Sequence, residues 1–252
     1  MNLRIFGILT LALVAGCATS TQPVQPTSSQ TQVNYTKGKT YTYQYNARDT
    51  SDNVTYTPAT DTITTTVIDT NQTYLGMSNV TILLNTHSTV GTSPDTTYIS
   101  QDSANFWHYN YGLESLNNNP KILNIIGSPI QMGWVLQAKF NANTGDKWTA
   151  ANNNNLKINV PGLGQVAATV VISAVAQNDT TISINGASVT AKHVFQTVTL
   201  TALNQPLVTT TDTYVATSVG VTINIVHTAH INIPGLYTGP VNGSQTVMVK
   251  HS

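Results

Sequence analysis

The sequence predicts an all-β protein whose body is one strongly curved antiparallel sheet, an open or half-closed barrel of about eleven or twelve strands. Three observations predict it. Apolar and polar residues alternate with period two in run after run, as in "TYTYQYNA" (40–47) and "DTITTTVID" (61–69), the mark of strands with one buried face. Asn-Asp, Asn-Gly, Ser-Val-Gly and Pro-Gly join the runs, and these combinations make short turns. Charged residues are only 8% of the chain, against roughly 25% in an average soluble protein. Thr, which suits exposed strand faces, and Asn, which suits turns, supply the polarity instead.

The first 33 residues lie outside that body. Met1 to Arg4 is short and basic, Ile5 to Ala15 is an 11-residue apolar run broken only by Gly7 and Thr10, and Gly16 and Cys17 follow. A basic start, a short apolar run and small residues before a cut describe a secretory signal peptide over 1–16. A membrane-spanning helix needs about 20 apolar residues, so this run is too short to be one. Val14-Ala15-Gly16-Cys17 resembles the lipobox of bacterial lipoproteins. The resemblance implies cleavage just before Cys17, acylation of its thiol and new amino group, and palmitate-type chains in the membrane. One chain binds a bilayer marginally, whereas each buried CH2 adds about 0.8 kcal/mol, so two or three chains hold firmly. The alternative is a free cysteine beside an ordinary signal-peptidase site. Ala18, in the place where proteobacterial sorting reads Asp as retention, implies the outer membrane. Thr19 to Val33, "TSTQPVQPTSSQTQV", has almost nothing to bury and reads as a flexible tether. The expected organisation is therefore 1–16 signal peptide, 17–33 lipidated Cys17 and tether, and 34–252 β-rich body.

Along the body, Tyr41, Tyr43 and Tyr45 share one face, and Ile63, Thr65 and Val67 share another. "TYLGMSNVTILLN" (73–85) is one strand, or two across a bend at Ser78-Asn79. "TTYIS" and "NFWHYNYG" make a hairpin around Gln101 to Ala104, and seven further strand runs follow from "LKINV" to "SQTVMVKH". Between Leu116 and Lys147 threonine nearly vanishes. Asn119 as N-cap and Pro120 at the first helical position fit the start of a short helix over 121–126, stopped by Gly127 and Pro129, and a loop with buried apolar side chains is the alternative. "ANNNN" (151–155) reads as an exposed loop tip.

The order of these pieces resembles a broad group of bacterial envelope lipoproteins of largely unassigned function. Gly38, Tyr41 and Tyr43 match its first strand, and Gly145, Asp146 and Trp148 match its mid-chain Gly-Asp-x-Trp. "NGASVTAKHVFQTVTL" matches its Gly-to-Val-rich strand, and Tyr214 to Val221 its late turn. The resemblance implies a curved-sheet half-barrel, similar in outline to the LolA/LolB lipoprotein carriers, and carries over no site residue.

Bulk charge and motifs argue against most chemistry. Ten basic and ten acidic residues give a net charge of zero, and the basic ones are scattered, so a nucleic-acid partner is not expected. His227 and His230 lie three apart in a strand run, on opposite faces, and cannot share one metal ion. Asp49 and Asp52 fall in the polar turn "RDTSDN", where Asp bonds its own backbone. The lone Glu114 has no marked partner, no Gly-x-Ser-x-Gly or Ser-x-x-Lys occurs, and "PGLG" (161–164) precedes a strand rather than a helix, so neither a serine nucleophile nor a phosphate cradle is expected. No catalytic residue, metal or cofactor is assigned. Tyr41, Tyr43, Tyr45, Trp107, Tyr109, Tyr111, Trp134 and Trp148 carry most of the aromatic area, either as core or as the lining of a ligand site.

The first expectation is a non-enzymatic, lipid-anchored scaffold or binding module at the envelope, with the membrane and a protein as partners. The second is a carrier of a lipid or other apolar ligand in the concave face, and the third a cell-wall glycan enzyme. The apolar residues of 121–136 decide between the first two, according to whether they plug the concave face or move as a lid.

Overall fold

In the computed structural model, residues 33–55, 59–89, 91–117, 120–127, 129–160, 162–233 and 237–252 are described. The signal peptide, Cys17, nearly all of the tether and the Asn119 cap lie outside these residues.

Two antiparallel meanders make the sheet. The first comprises β1 (Thr40–Ala47), β2 (Asp61–Tyr74), β3 (Met77–His87), β4 (Asp95–Gln101), β5 (Asn105–Tyr109) and β6 (Trp134–Lys139). The second comprises β7 (Lys147–Val160), β8 (Gly164–Ala176), β10 (Ala187–Ala202), β11 (Gln205–Ala216) and β12 (Gly220–Val226), with β9 (Thr180–Ile184) extending the β10 ladder beyond the end of β8. The C-terminal strand β15 (Ser244–His251) pairs with β1 on one side and β12 on the other. It joins the meanders into one path, β6-β5-β4-β3-β2-β1-β15-β12-β11-β10-β8-β7. A separate hairpin, β13 (Ala229–Ile233) with β14 (Tyr237–Val241), packs against β11, and its Ile231 and Val241 are buried in the common core. The curved antiparallel sheet of the sequence expectation is therefore present, and it is nearly closed.

Closure stops at one seam. β6 and β7 follow each other in the chain and lie side by side, yet each is laddered only to its other neighbour. Trp148 crosses this gap: its indole Nε1 donates to the Leu136 carbonyl oxygen at 2.9 Å, and the side chain is buried. The Lys139 ammonium sits 5.6 Å from the Trp148 ring centroid, within cation–π range. Trp148, either core or ligand lining by sequence, is thus a buried residue of the side seam.

Inward faces follow the period-two pattern. Val67, Leu83, Ile99, Phe106 and Val135 come from the first meander, and Val170, Ile172, Val194, Val198 and Leu200 from the second. Threonine contributes to the interior as well as the exterior: Thr209, Thr211 and Thr213 of β11 are all buried.

Two short helices, α1 (Glu114–Asn117) and α2 (Pro120–Ile126), fill part of the barrel. Leu113, Leu116, Ile122, Ile126 and Ile130 are fully buried in the common core, each contributing about 1.5–3 kcal/mol relative to exposure. Gly112 lets the chain turn inward, since its φ is +87° and a Cβ there would touch Ile172 and Val198 at 3.5 Å. Beyond the end of β6 the segment also covers the β7 edge, with Gly127 packed on the Asn159 backbone and side chain. Covering a bare edge removes a template for unwanted strand pairing. No helix among the described residues is long and apolar enough to cross a membrane.

Two local expectations are corrected. "ANNNN" is not a loop tip: residues 151–155 lie inside β7, where register shifts after Thr149 and Asn153 absorb the extra residues as bulges. Bulges let an Asn-rich stretch keep most of its ladder, which composition alone does not reveal. The break in 73–85 falls at Leu75-Gly76, both with positive φ, rather than at Ser78-Asn79.

Candidate functional site

Cys17, the lipidation residue read from the sequence, lies outside the described residues. The tether meets the body firmly: Val33 is buried, and its carbonyl accepts a hydrogen bond from Gln101 Nε2 at 2.5 Å. Packing therefore already includes Val33, one residue before the boundary suggested by composition.

The concave face is divided. Its half beside β8 and β10 is occupied by the plug. Under β1–β5, β12 and β15 there remains a partly open cavity of about 190 Å3. Six rings contribute to its lining, Tyr35, Tyr41, Tyr43, Phe106, His108 and Tyr111, with Ile63, Leu83, Ile99 and Val221 among the aliphatic groups. His108 stacks on Tyr111 with centroids 4.8 Å apart, and Tyr35 meets Tyr41 edge-on at 5.8 Å. Tyr43 Oη donates to the Val221 carbonyl at 3.2 Å, and Tyr111 Oη bonds Thr213 and Asn224. Burial pushes the His108 imidazole down to about 4, against smaller upward pulls from Gln137 and Asp95, so the ring is neutral near pH 7. Burial likewise raises the Tyr41 hydroxyl to about 12.

Toward one end the cavity adjoins a polar network. Asn85 accepts from Thr65 Oγ1 at 2.7 Å, and its Nδ2 donates to Thr97 Oγ1 at 2.9 Å and Asp95 Oδ2 at 3.1 Å. Beyond it His87 sits between two carboxylates, Nδ1 at 2.7 Å from Asp61 Oδ2 and Nε2 at 3.1 Å from Asp95 Oδ1. Burial alone would lower the His87 pKa, but its bonds to Asp61 and Asp95 win and raise it. Burial would likewise raise Asp61, yet hydrogen bonds from His87, Ser88 and Thr89 hold it well below the usual carboxylate range.

A second chain of the same kind lies on the outer face. Arg48 Nε bonds Asp52, Asp52 bonds His227 Nδ1 at 2.7 Å, His227 Nε2 bonds Asp212 at 2.7 Å, and Asp212 bonds His193 Nε2 at 2.5 Å. Thr228 N also donates to Asp52, and Thr228 Oγ1 donates to the Asp49 carbonyl. These bonds fasten the 48–54 loop to the crossover between β12 and β13. His227 is thus a satisfied surface histidine, while His230 is exposed. Asp49 does bond its own turn, accepting from Ser51 N and Asn53 N; Asp52 instead faces across the fold. Among the described residues no group of three or more His, Cys, Asp or Glu is placed to hold a metal ion.

The remaining aromatics divide by strand parity. Tyr98, Tyr109 and Trp134 lie on the outer face, where Tyr74 stacks on Tyr98 at 4.0 Å and Tyr109 meets Trp134 at 5.5 Å. Both histidine clamps escaped sequence reasoning because their members lie 8 to 175 positions apart. A local trace did exist: Asp61 has the parity of Ile63 and Val67, and His87 that of Leu83 and Asn85, so each belongs to an inward face.

No family model matches the chain, and no curated protein does. Three solved structures align over most of its length. A protein described as a lipoprotein from Parabacteroides distasonis has a TM-score of 0.48 at 9% identity, covering 87% of this chain and 97% of that one. An exported protein with a YmcC-like fold from Bacteroides fragilis has a TM-score of 0.49 at 10% identity, covering 88% and 99%. The hypothetical lipoprotein YmcC from Escherichia coli has a TM-score of 0.34 at 12% identity, covering 87% and 90%.

Proposed function

We propose that this chain is a lipid-anchored envelope protein, held in the outer membrane by acyl chains on Cys17, whose plugged β-barrel serves as a non-enzymatic scaffold or binding module for a partner at the envelope. One observation carries the reading: Val14-Ala15-Gly16-Cys17 closes an 11-residue apolar run and is followed by a 15-residue stretch rich in Ser, Thr, Gln and Pro. The interior supports the scaffold over the lipid carrier. The plug residues Leu116, Ile122 and Ile126 are part of the packed core, and the remaining cavity, about 190 Å3, falls below the roughly 300–1,000 Å3 of ordinary ligand pockets. The clamped carboxylates support the non-catalytic reading over a glycan enzyme, because Asp52, Asp61, Asp95 and Asp212 are each bonded to a histidine. Fractionation of cells producing the Cys17→Ser chain tests the proposal. The variant should leave the membrane fraction with its body still folded. Membrane association that survives the substitution and high-salt extraction would refute the anchor.

A further inference from the structure

The cavity under β1–β5, β12 and β15 differs in kind from the packed half of the barrel. Its walls are aromatic on several sides, and no charged side chain is among its lining residues. Its volume of about 190 Å3 exceeds that of a cavity of roughly 150 Å3 that admits benzene. We propose that this cavity is a binding site for a small neutral molecule of the phenol class, a single ring bearing one hydroxyl or carbonyl group.

Three features of the walls select that class. Size comes first: one ring fits, whereas a long acyl chain needs space that the plug already takes. Charge comes second. A bound carboxylate or phosphate would lose its water with no cation among the lining residues, a heavy penalty for a buried ion. It would also lie beside Asp95, which Asn85 joins to the cavity wall and His87 joins to Asp61. The third feature is hydrogen bonding. Tyr43 Oη has given its proton to the Val221 carbonyl and keeps a lone pair for an incoming donor. Thr97 Oγ1 already accepts from Asn85 and keeps its own proton for an incoming acceptor. A hydroxylated ring satisfies such groups, and a plain hydrocarbon leaves them dry. Ring-on-ring contact with His108, Tyr111 or Phe106 would add offset or edge-to-face attraction.

This inference does not depend on the membrane anchor, so either can fail alone. The full chain in detergent micelles is titrated with para-fluorophenol and followed by fluorine NMR, with fluorobenzene, para-fluorobenzoate and a fluorinated decanoate in parallel. The expected result is saturable binding of para-fluorophenol with a Kd of about 0.1–1 mM. Fluorobenzene should bind more weakly, and neither acid should saturate. Ile63→Phe, which fills the cavity from β2, should weaken binding at least about 10-fold with the far-UV circular dichroism unchanged. Should that variant fold poorly, Val221→Leu on β12 makes the same test with less added volume. Absence of saturable para-fluorophenol binding, binding indifferent to a folded cavity-filling variant, or tighter binding of decanoate would each overturn the proposal.

Discussion

Replacing Trp148 by phenylalanine removes one hydrogen bond while keeping a ring in place. The indole Nε1 lies 2.9 Å from the Leu136 carbonyl oxygen, bridging a seam where β6 and β7 are not laddered. Without it the carbonyl at the β6 edge loses this partner in a largely dry setting, a loss of about 1–3 kcal/mol. Trp148→Ala removes the ring too and should cost about 3–5 kcal/mol, a large share of the 5–15 kcal/mol typical of a domain. Urea unfolding followed by circular dichroism measures both. Hydrogen exchange supplies the local readout: amides of 134–139 and 147–152 should exchange faster in Trp148→Phe before global unfolding does. A phenylalanine variant within about 0.5 kcal/mol of wild type, the range of neutral surface changes, with unchanged exchange at the seam, would refute the latch.

Other outcomes follow from the same geometry. Ile126→Ala, at a position 1% exposed inside the plug, should destabilise by about 2–5 kcal/mol in urea unfolding. Deuterium exchange across 122–136 should be slow, with or without a fatty acid, because the plug is part of the core; fast exchange in the free protein would make it a lid. Gly220→Ala should lower the midpoint for unfolding, since its φ is +83° and the new Cβ would run into the Tyr35 hydroxyl. His87 tests the inner clamp through pH. Its folded pKa is raised, so its contribution is complete below the unfolded value of about 6.5 and is lost as pH rises through the folded value. Asp61 is depressed, so its share is present above about 3.9 and is lost only as pH falls through its folded value. His87→Gln should therefore destabilise more at pH 6 than at pH 9; an equal loss at both would show that the ion pairs contribute nothing.

The fold was legible because local signals agreed with global ones. Alternation in "DTITTTVID" placed Thr65 and Val67 on the inward face, and Pro120 with Gly127 bounded α2 as observed. Legibility failed where one composition fits two structures. "ANNNN" carries turn residues, yet the ladder to β8 holds it as bulged strand. Pairing of β15 with β1 could not be read at all, because register across some 200 positions is a property of the closed sheet. The same holds for the sites. Cys17 announces itself through its neighbours in sequence, whereas the cavity and the two histidine clamps draw their members from distant strands.

The central claim is that Cys17 anchors this barrel to a membrane through acyl chains. Intact-mass spectrometry of the protein extracted from cell envelopes tests it most directly. The account predicts a mature chain that begins at Cys17 and carries the added mass of two or three fatty acyl groups. A chain with an unmodified Cys17 thiol, or one that begins at any other residue, would contradict it.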